Sequence, residues 1–129
     1  MKPRVRAACA AVLALAAAAG ASRAEDATLQ GARAALEARD FGRALPLYDA
    51  LVRAQPADAD LLIEAARAYA WADRHRDAIA LYERVLEVAP ARRGDVLGAL
   101  AWQLLWAGDA AAARPLFDQA RAYTTEPRA

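Results

Sequence analysis

Apolar side chains recur along most of the chain at the spacing of one face of an α-helix. Ala44, Tyr48 and Leu51 stand at positions i, i+4 and i+7, which places their side chains along a single helical stripe. The same order of a small, an aromatic and a small or apolar residue returns twice, as Ala78, Tyr82, Val85 and as Ala113, Phe117, Ala120. Together with the capping signals, this pattern predicts helices over 26–38, 41–54, 59–72, 75–88, 95–107 and 110–123.

These triplets recur with a nearly constant period. Ala44 and Ala78 are 34 residues apart, and Ala113 follows after a further 35. Pro56 and Pro90 are also 34 residues apart, and each is expected to end the second helix of a pair because proline cannot continue the hydrogen-bond ladder. A pair of helices cannot bury both apolar faces alone, so the period predicts that neighbouring pairs stack on one another.

Aspartates mark the expected helix starts. Asp40, Asp73 and Asp109 each stand just before a second helix, and Asp58 and Asp95 stand just before first helices. A short carboxylate at such a position accepts hydrogen bonds from the free backbone N–H groups of the first turn. All five are therefore predicted to be helix caps.

Over roughly residues 25–123 the chain resembles the tetratricopeptide repeat family. The match is strongest from Leu62 to Pro90, where the residues at the family's spacing are Ala66, Tyr69, Ala78, Tyr82 and Pro90. The resemblance implies an all-α solenoid of about three helix hairpins in a right-handed superhelix. Its expected units span about 25–57, 58–92 and 93–126, within a repeat domain over 25–123 that is followed by a tail over 124–129.

The first 24 residues have the pattern of a secretory signal peptide. Lys2, Arg4 and Arg6 precede an uncharged run over 7–22, and Ser22-Arg23-Ala24 offers small residues at both recognition positions of a cleavage site. We expect cleavage between Ala24 and Glu25 and delivery to the periplasm or the exterior. The run is short for a membrane span, so no stable span is expected after cleavage, although an uncleaved anchor is the alternative.

Cleavage changes the charge and removes reactive side chains. The 17 cationic residues fall to 13 against 16 acidic ones, so the net charge becomes −3, which argues against a nucleic-acid binder. Cys9 and Ser22, the only residues of their types, leave with the signal, and His75 is the only histidine. We therefore expect no enzyme, no metal site and no cofactor.

The resemblance implies that first helices line a concave groove that binds peptides or partner helices. The groove residues chosen as the candidate site are Arg33, Ile63, Arg67, Trp71, Trp102 and Trp106. Tryptophan and arginine dominate binding hot spots. The alternatives are that Trp71 and Trp106 only pack against the next turn, and that Arg33 and Arg67 are merely solvated or ion-paired.

These features favour a protein-binding scaffold in envelope assembly or exopolysaccharide export, because the turn Trp106-Ala107-Gly108-Asp109 resembles repeats of exopolysaccharide secretion proteins. A second hypothesis is a glycan- or peptide-binding module in which the groove tryptophans stack on sugar rings. Solenoids normally end in a polar capping helix, which is not apparent after 110–123. The helix over 110–123 is therefore predicted to self-associate or to dock on a larger repeat protein.

Overall fold

The computed structural model describes residues 28–125, which fold as six α-helices with one short 3-10 turn. The helices are α1 over 28–37 in its described part, α2 Phe41–Ala54, α3 Ala59–Trp71, α4 His75–Val88, α5 Arg93–Trp106 and α6 Ala110–Thr125, with the 3-10 turn at Pro90–Arg92. Residues 28–125 contain no strand. The all-α prediction is confirmed, whereas the predicted signal peptide over 1–24 lies outside the described residues.

Consecutive helices from α2 to α6 pack side by side. α3 packs on α4 and α5 packs on α6 within hairpins, while α2 contacts α3 and α4 contacts α5 between hairpins. α6 extends to Thr125, two residues beyond the predicted end. None of the helices in 28–125 combines the length and the apolar character that crossing a bilayer requires.

The core includes the small and aromatic positions that the repeat predicts, together with many leucines and valines. Ala44, Ala78 and Ala113 are buried at equivalent places in three hairpins, and Tyr48 and Tyr82 are buried beside the first two of them. Phe117, the third aromatic position, is only half-buried. The hairpins therefore stack in register, because equivalent residues occupy equivalent surroundings in the first two units.

Three of the five predicted aspartate caps are present. The carboxylates of Asp40 and Asp58 each accept a hydrogen bond of 3.2 Å from the backbone N–H three residues later. Asp109 accepts an equivalent bond of 3.0 Å. These bonds satisfy N–H groups that have no partner within the helix.

The predicted caps at Asp73 and Asp95 are wrong. α4 begins after Arg74, which makes no side-chain cap bond, and Asp73 lies in the preceding turn. α5 already begins at Arg93, because the 3-10 turn leads directly into it. Asp95 therefore lies in the first turn of α5, where it accepts a hydrogen bond of 2.6 Å from the guanidinium of Arg92.

The turn inside each hairpin contains one residue with a left-handed backbone. These residues are Arg39 with φ of 56°, Asp73 with φ of 57° and Gly108 with φ of 91°. They follow the first helix of each pair, where such a conformation commonly ends a helix. Glycine adopts it freely, but a side chain makes it cost about 1–2 kcal/mol. The first two turns thus retain charged side chains at a position that favours glycine.

A buried phenol links the first two hairpins. The hydroxyl of Tyr69 in α3 donates a hydrogen bond of 2.6 Å to a carboxylate oxygen of Asp49 in α2. Burial, together with this bond, raises the pKa of Tyr69 to about 12. Burial also raises the pKa of Tyr48 and of Tyr82 above the ordinary tyrosine value.

Raising the pH is therefore expected to destabilise the fold between about pH 10 and about pH 12. An unfolded chain loses its tyrosine protons near pH 10, whereas Tyr69 keeps its proton until about pH 12. The stabilisation is complete below the unfolded pKa and is lost as the pH rises through the folded pKa. Urea unfolding at pH 8, 10, 11 and 12 measures the loss. Tyr69→Phe should make this decline shallower, and an unchanged slope would contradict the prediction.

A tryptophan-lined trough as candidate functional site

Three helices, α3, α4 and α5, and two hairpin turns enclose an open cavity of about 510 Å³, here called the tryptophan cavity. α3 contributes Arg67 and Trp71, and α5 contributes Trp102 and Trp106. Within each helix these residues are four positions apart, so they project from the same face. The three indoles are about half exposed, at 50%, 47% and 58%. Surface of this kind is unusual on a protein unless it binds something.

The α5 side of the cavity is an ordered aromatic wall. The rings of Trp102 and Trp106 stack with their centroids 5.5 Å apart. Phe117 of α6 meets Trp102 edge-on at 5.1 Å, and His75 of α4 lies 5.7 Å from Trp106. Since three helices contribute to these contacts, the wall is held in place before any ligand arrives.

A buried polar pair supports this wall. Nδ1 of His75 lies 2.8 Å from Oε1 of Gln103, a residue only 4% exposed. Sequence reasoning missed Gln103, although a signal was present. It is a polar residue on the apolar face of a helix, next to Leu100 and Leu104, and such a residue needs a hydrogen-bond partner when it is buried.

Four of the six predicted site residues meet in the tryptophan cavity, namely Arg67, Trp71, Trp102 and Trp106. Arg33 lines an adjoining cavity of about 350 Å³, which shares Arg67 and Trp71 with the first. Ile63 is partly buried against the hydrophobic core and does not line either cavity. The two cavities form one trough along α1, α3 and α5.

Two arginines near the trough, Arg33 and Arg92, are paired with carboxylates. Arg33 binds Glu64 through two nitrogens, with an Nε to Oε2 distance of 2.9 Å, and this pairing raises the pKa of Arg33. Arg92 bridges Asp60 of α3 and Asp95 of α5 with distances of 2.7 and 2.6 Å. These exposed pairs join neighbouring hairpins but contribute little stability each.

The arginines that line the tryptophan cavity differ from these pairs in having no carboxylate partner within residues 28–125. Within residues 28–125, neither Arg39 nor Arg67 has an ion-pair partner. Arg39 and Asp73 reach the cavity from the left-handed turns, and sequence reasoning selected neither of them. The turn conformation, which only Gly108 indicates in the sequence, determines where these two side chains point.

The arrangement of the site is suited to binding. It presents flat indole surfaces, guanidinium donors and one carboxylate. Among residues 28–125, no three His, Cys, Asp or Glu side chains are grouped so as to hold a metal ion. The chemistry that these groups offer is stacking, hydrogen bonding and charge pairing.

Solved structures share this fold at low sequence identity. MamA from Desulfovibrio magneticus RS-1 matches with a TM-score of 0.67 and 20% identity, over 76% of this chain and 55% of that chain. MamA of AMB-1 gives 0.66 and 23%, over 76% and 57%. The N-terminal domain of stress-induced protein-1 from C. elegans gives 0.69 and 18%, over 81% and 87%. This chain thus spans just over half of these MamA chains.

Sequence comparison identifies the repeat directly. A search of curated protein sequences found no match. A family model described as tetratricopeptide repeat matches residues 35–102, which is more than half of the chain and includes most of the trough. The chain belongs to the tetratricopeptide repeat family.

Proposed function

We propose that this chain is a non-catalytic scaffold that holds a protein partner in the periplasm or outside the cell. Tetratricopeptide repeats are protein-interaction modules, so a scaffold role follows from the family. The observation that carries the proposal is the trough itself, where three half-exposed tryptophans lie between stacked hairpins. Tryptophan and arginine on a rigid concave surface are the groups that contribute most to binding energy.

The location and the pathway are part of the same proposal. The cationic start, the uncharged run and the small residues before Glu25 support export through a cleaved signal peptide. The turn over 106–109 supports a place in envelope assembly or exopolysaccharide export. Export would bring the trough into contact with envelope proteins.

The outer end of the array offers a second contact surface. Tyr123 of α6 is 49% exposed, and its ring lies over Gly94 of α5, where an added Cβ would meet a ring carbon at 2.9 Å. The close approach fixes the tyrosine ring beside α5. We assign this end to self-association or to docking on a larger repeat protein.

Chemical crosslinking of the tagged full-length chain in its native cells tests the scaffold. We expect one defined protein to be crosslinked in the exported fraction. The chain purified from that fraction should have Glu25 as its first residue. The double variant Trp102→Ala, Trp106→Ala should crosslink at least tenfold less of this protein, because two half-exposed hot-spot residues are removed.

Leu105→Ala is the matched control for this experiment. Leu105 lies between the two tryptophans on α5 and is 39% exposed, but it does not line the tryptophan cavity. It should retain the crosslinked protein. Equal crosslinking by all variants would refute partner binding in the trough, and a chain found unprocessed in the cytoplasm would refute export.

A further inference from the structure

The tryptophan cavity has unused hydrogen-bonding and stacking capacity. Within residues 28–125, Trp71 makes no ring contact, in contrast to Trp102 and Trp106. None of the three indole N–H groups has a hydrogen-bond acceptor in that part of the chain. Each indole therefore combines an exposed apolar surface with an available donor, which suits a ligand that is apolar on one face and polar at its edges.

The charged groups of the cavity point to an anion. Arg39 and Arg67 have no ion-pair partner within 28–125, and Asp73 is the one carboxylate in the lining, so these three side chains together carry a net charge of +1. Arg39 also keeps a left-handed backbone that favours glycine. Such strain persists at positions where the side chain is used.

The polar groups that line the cavity belong to side chains. Its walls are helices, whose backbone N–H and C=O groups are already paired within each helix. The polar groups on offer are side chains, so they suit a ligand whose polar groups surround a compact apolar ring.

We infer that the tryptophan cavity binds an acidic polysaccharide, through sugar rings that carry a carboxylate. The C–H face of a pyranose ring stacks on an indole, its carboxylate pairs with Arg39 and Arg67, and its hydroxyls donate to Asp73. The volume of about 510 Å³ lies within the range of small-ligand sites. The adjoining cavity adds the carboxylates of Glu37 and Glu64, so we place the acidic rings in the tryptophan cavity.

Titration with a β-1,4-linked mannuronate hexamer tests this inference. All three tryptophans of the chain line the cavity, so their fluorescence reports its occupancy. We expect saturable binding that is about tenfold tighter than that of the β-1,4-linked mannose hexamer, which has the same ring and linkage without the carboxylate. Hexaglutamate supplies the same charge on a peptide and should bind more weakly than the mannuronate hexamer.

Variants of the chain locate the binding. Arg67→Gln and Arg39→Gln should each weaken mannuronate binding about tenfold, and Trp71→Ala should weaken it at least as much. Arg114→Gln, on α6 and outside the cavity, should leave it unchanged. Circular dichroism of each variant confirms that the helices are intact.

Three results would overturn the inference: no saturable fluorescence change with the mannuronate hexamer, equal binding of the neutral hexamer, or tighter binding of hexaglutamate. Each would leave the protein-binding scaffold untouched, because that role is tested separately by crosslinking in cells. Conversely, sugar binding without a crosslinked partner would support this inference and refute the scaffold.

Discussion

Replacing Tyr48 with alanine is expected to lower the free energy of unfolding by about 3–5 kcal/mol. The Tyr48 side chain is 1% exposed and is among the largest fully buried side chains of the described residues. Its removal leaves a cavity between the first two hairpins that helices of fixed spacing cannot close. Because a domain of this size is stabilised by only about 5–15 kcal/mol, such a loss approaches complete unfolding.

Tyr48→Phe is the control that separates the ring from the hydroxyl. The hydroxyl lies 3.5 Å from Oε2 of Glu64, at the outer limit of a hydrogen bond. Glu64 is moreover already bound by Arg33. The phenylalanine variant should therefore stay within about 0.5 kcal/mol of the parent. Equilibrium urea unfolding measures both, and similar losses for the two variants would show that the hydroxyl, not the ring, is what matters at this position.

The sequence was most informative about the second helices. The predicted spans 41–54 and 75–88 agree residue for residue with α2 and α4, because the repeated triplets mark their buried stripes and a proline follows each of them. First helices were less well predicted, as α5 shows by starting two residues early. An aspartate that caps a helix and one in its first turn look alike in sequence, since both complement the N-terminal dipole.

The candidate site was predictable only where it depends on helical spacing. Arg67 and Trp71, like Trp102 and Trp106, come together because residues four apart share a face. The positions of Arg39 and Asp73 depend instead on left-handed turns, which an arginine does not indicate and an aspartate indicates only weakly. The pairing of Arg33 with Glu64 depends on how two hairpins meet, which local periodicity does not specify.

Enlarging Ala78 to leucine is expected to destabilise the fold by about 1–3 kcal/mol through overpacking. Ala78 has no exposed surface, and neither has Ala66 on the neighbouring helix α3. Two methyl groups at these places allow α3 and α4 to lie close together. Since a leucine side chain has no free volume to enter, it must push the helices apart or adopt a strained rotamer.

Ala80→Leu is the matched control, because Ala80 lies on the same helix but is exposed. Both substitutions add the same side chain with nearly equal helix propensity, so any difference between them comes from packing. Thermal unfolding should show a loss of about 4–8 °C per kcal/mol for Ala78→Leu and almost none for Ala80→Leu. If both variants have the same melting temperature, small residues do not set the helix spacing. The repeat must then be held in register by its tyrosines and inter-hairpin ion pairs.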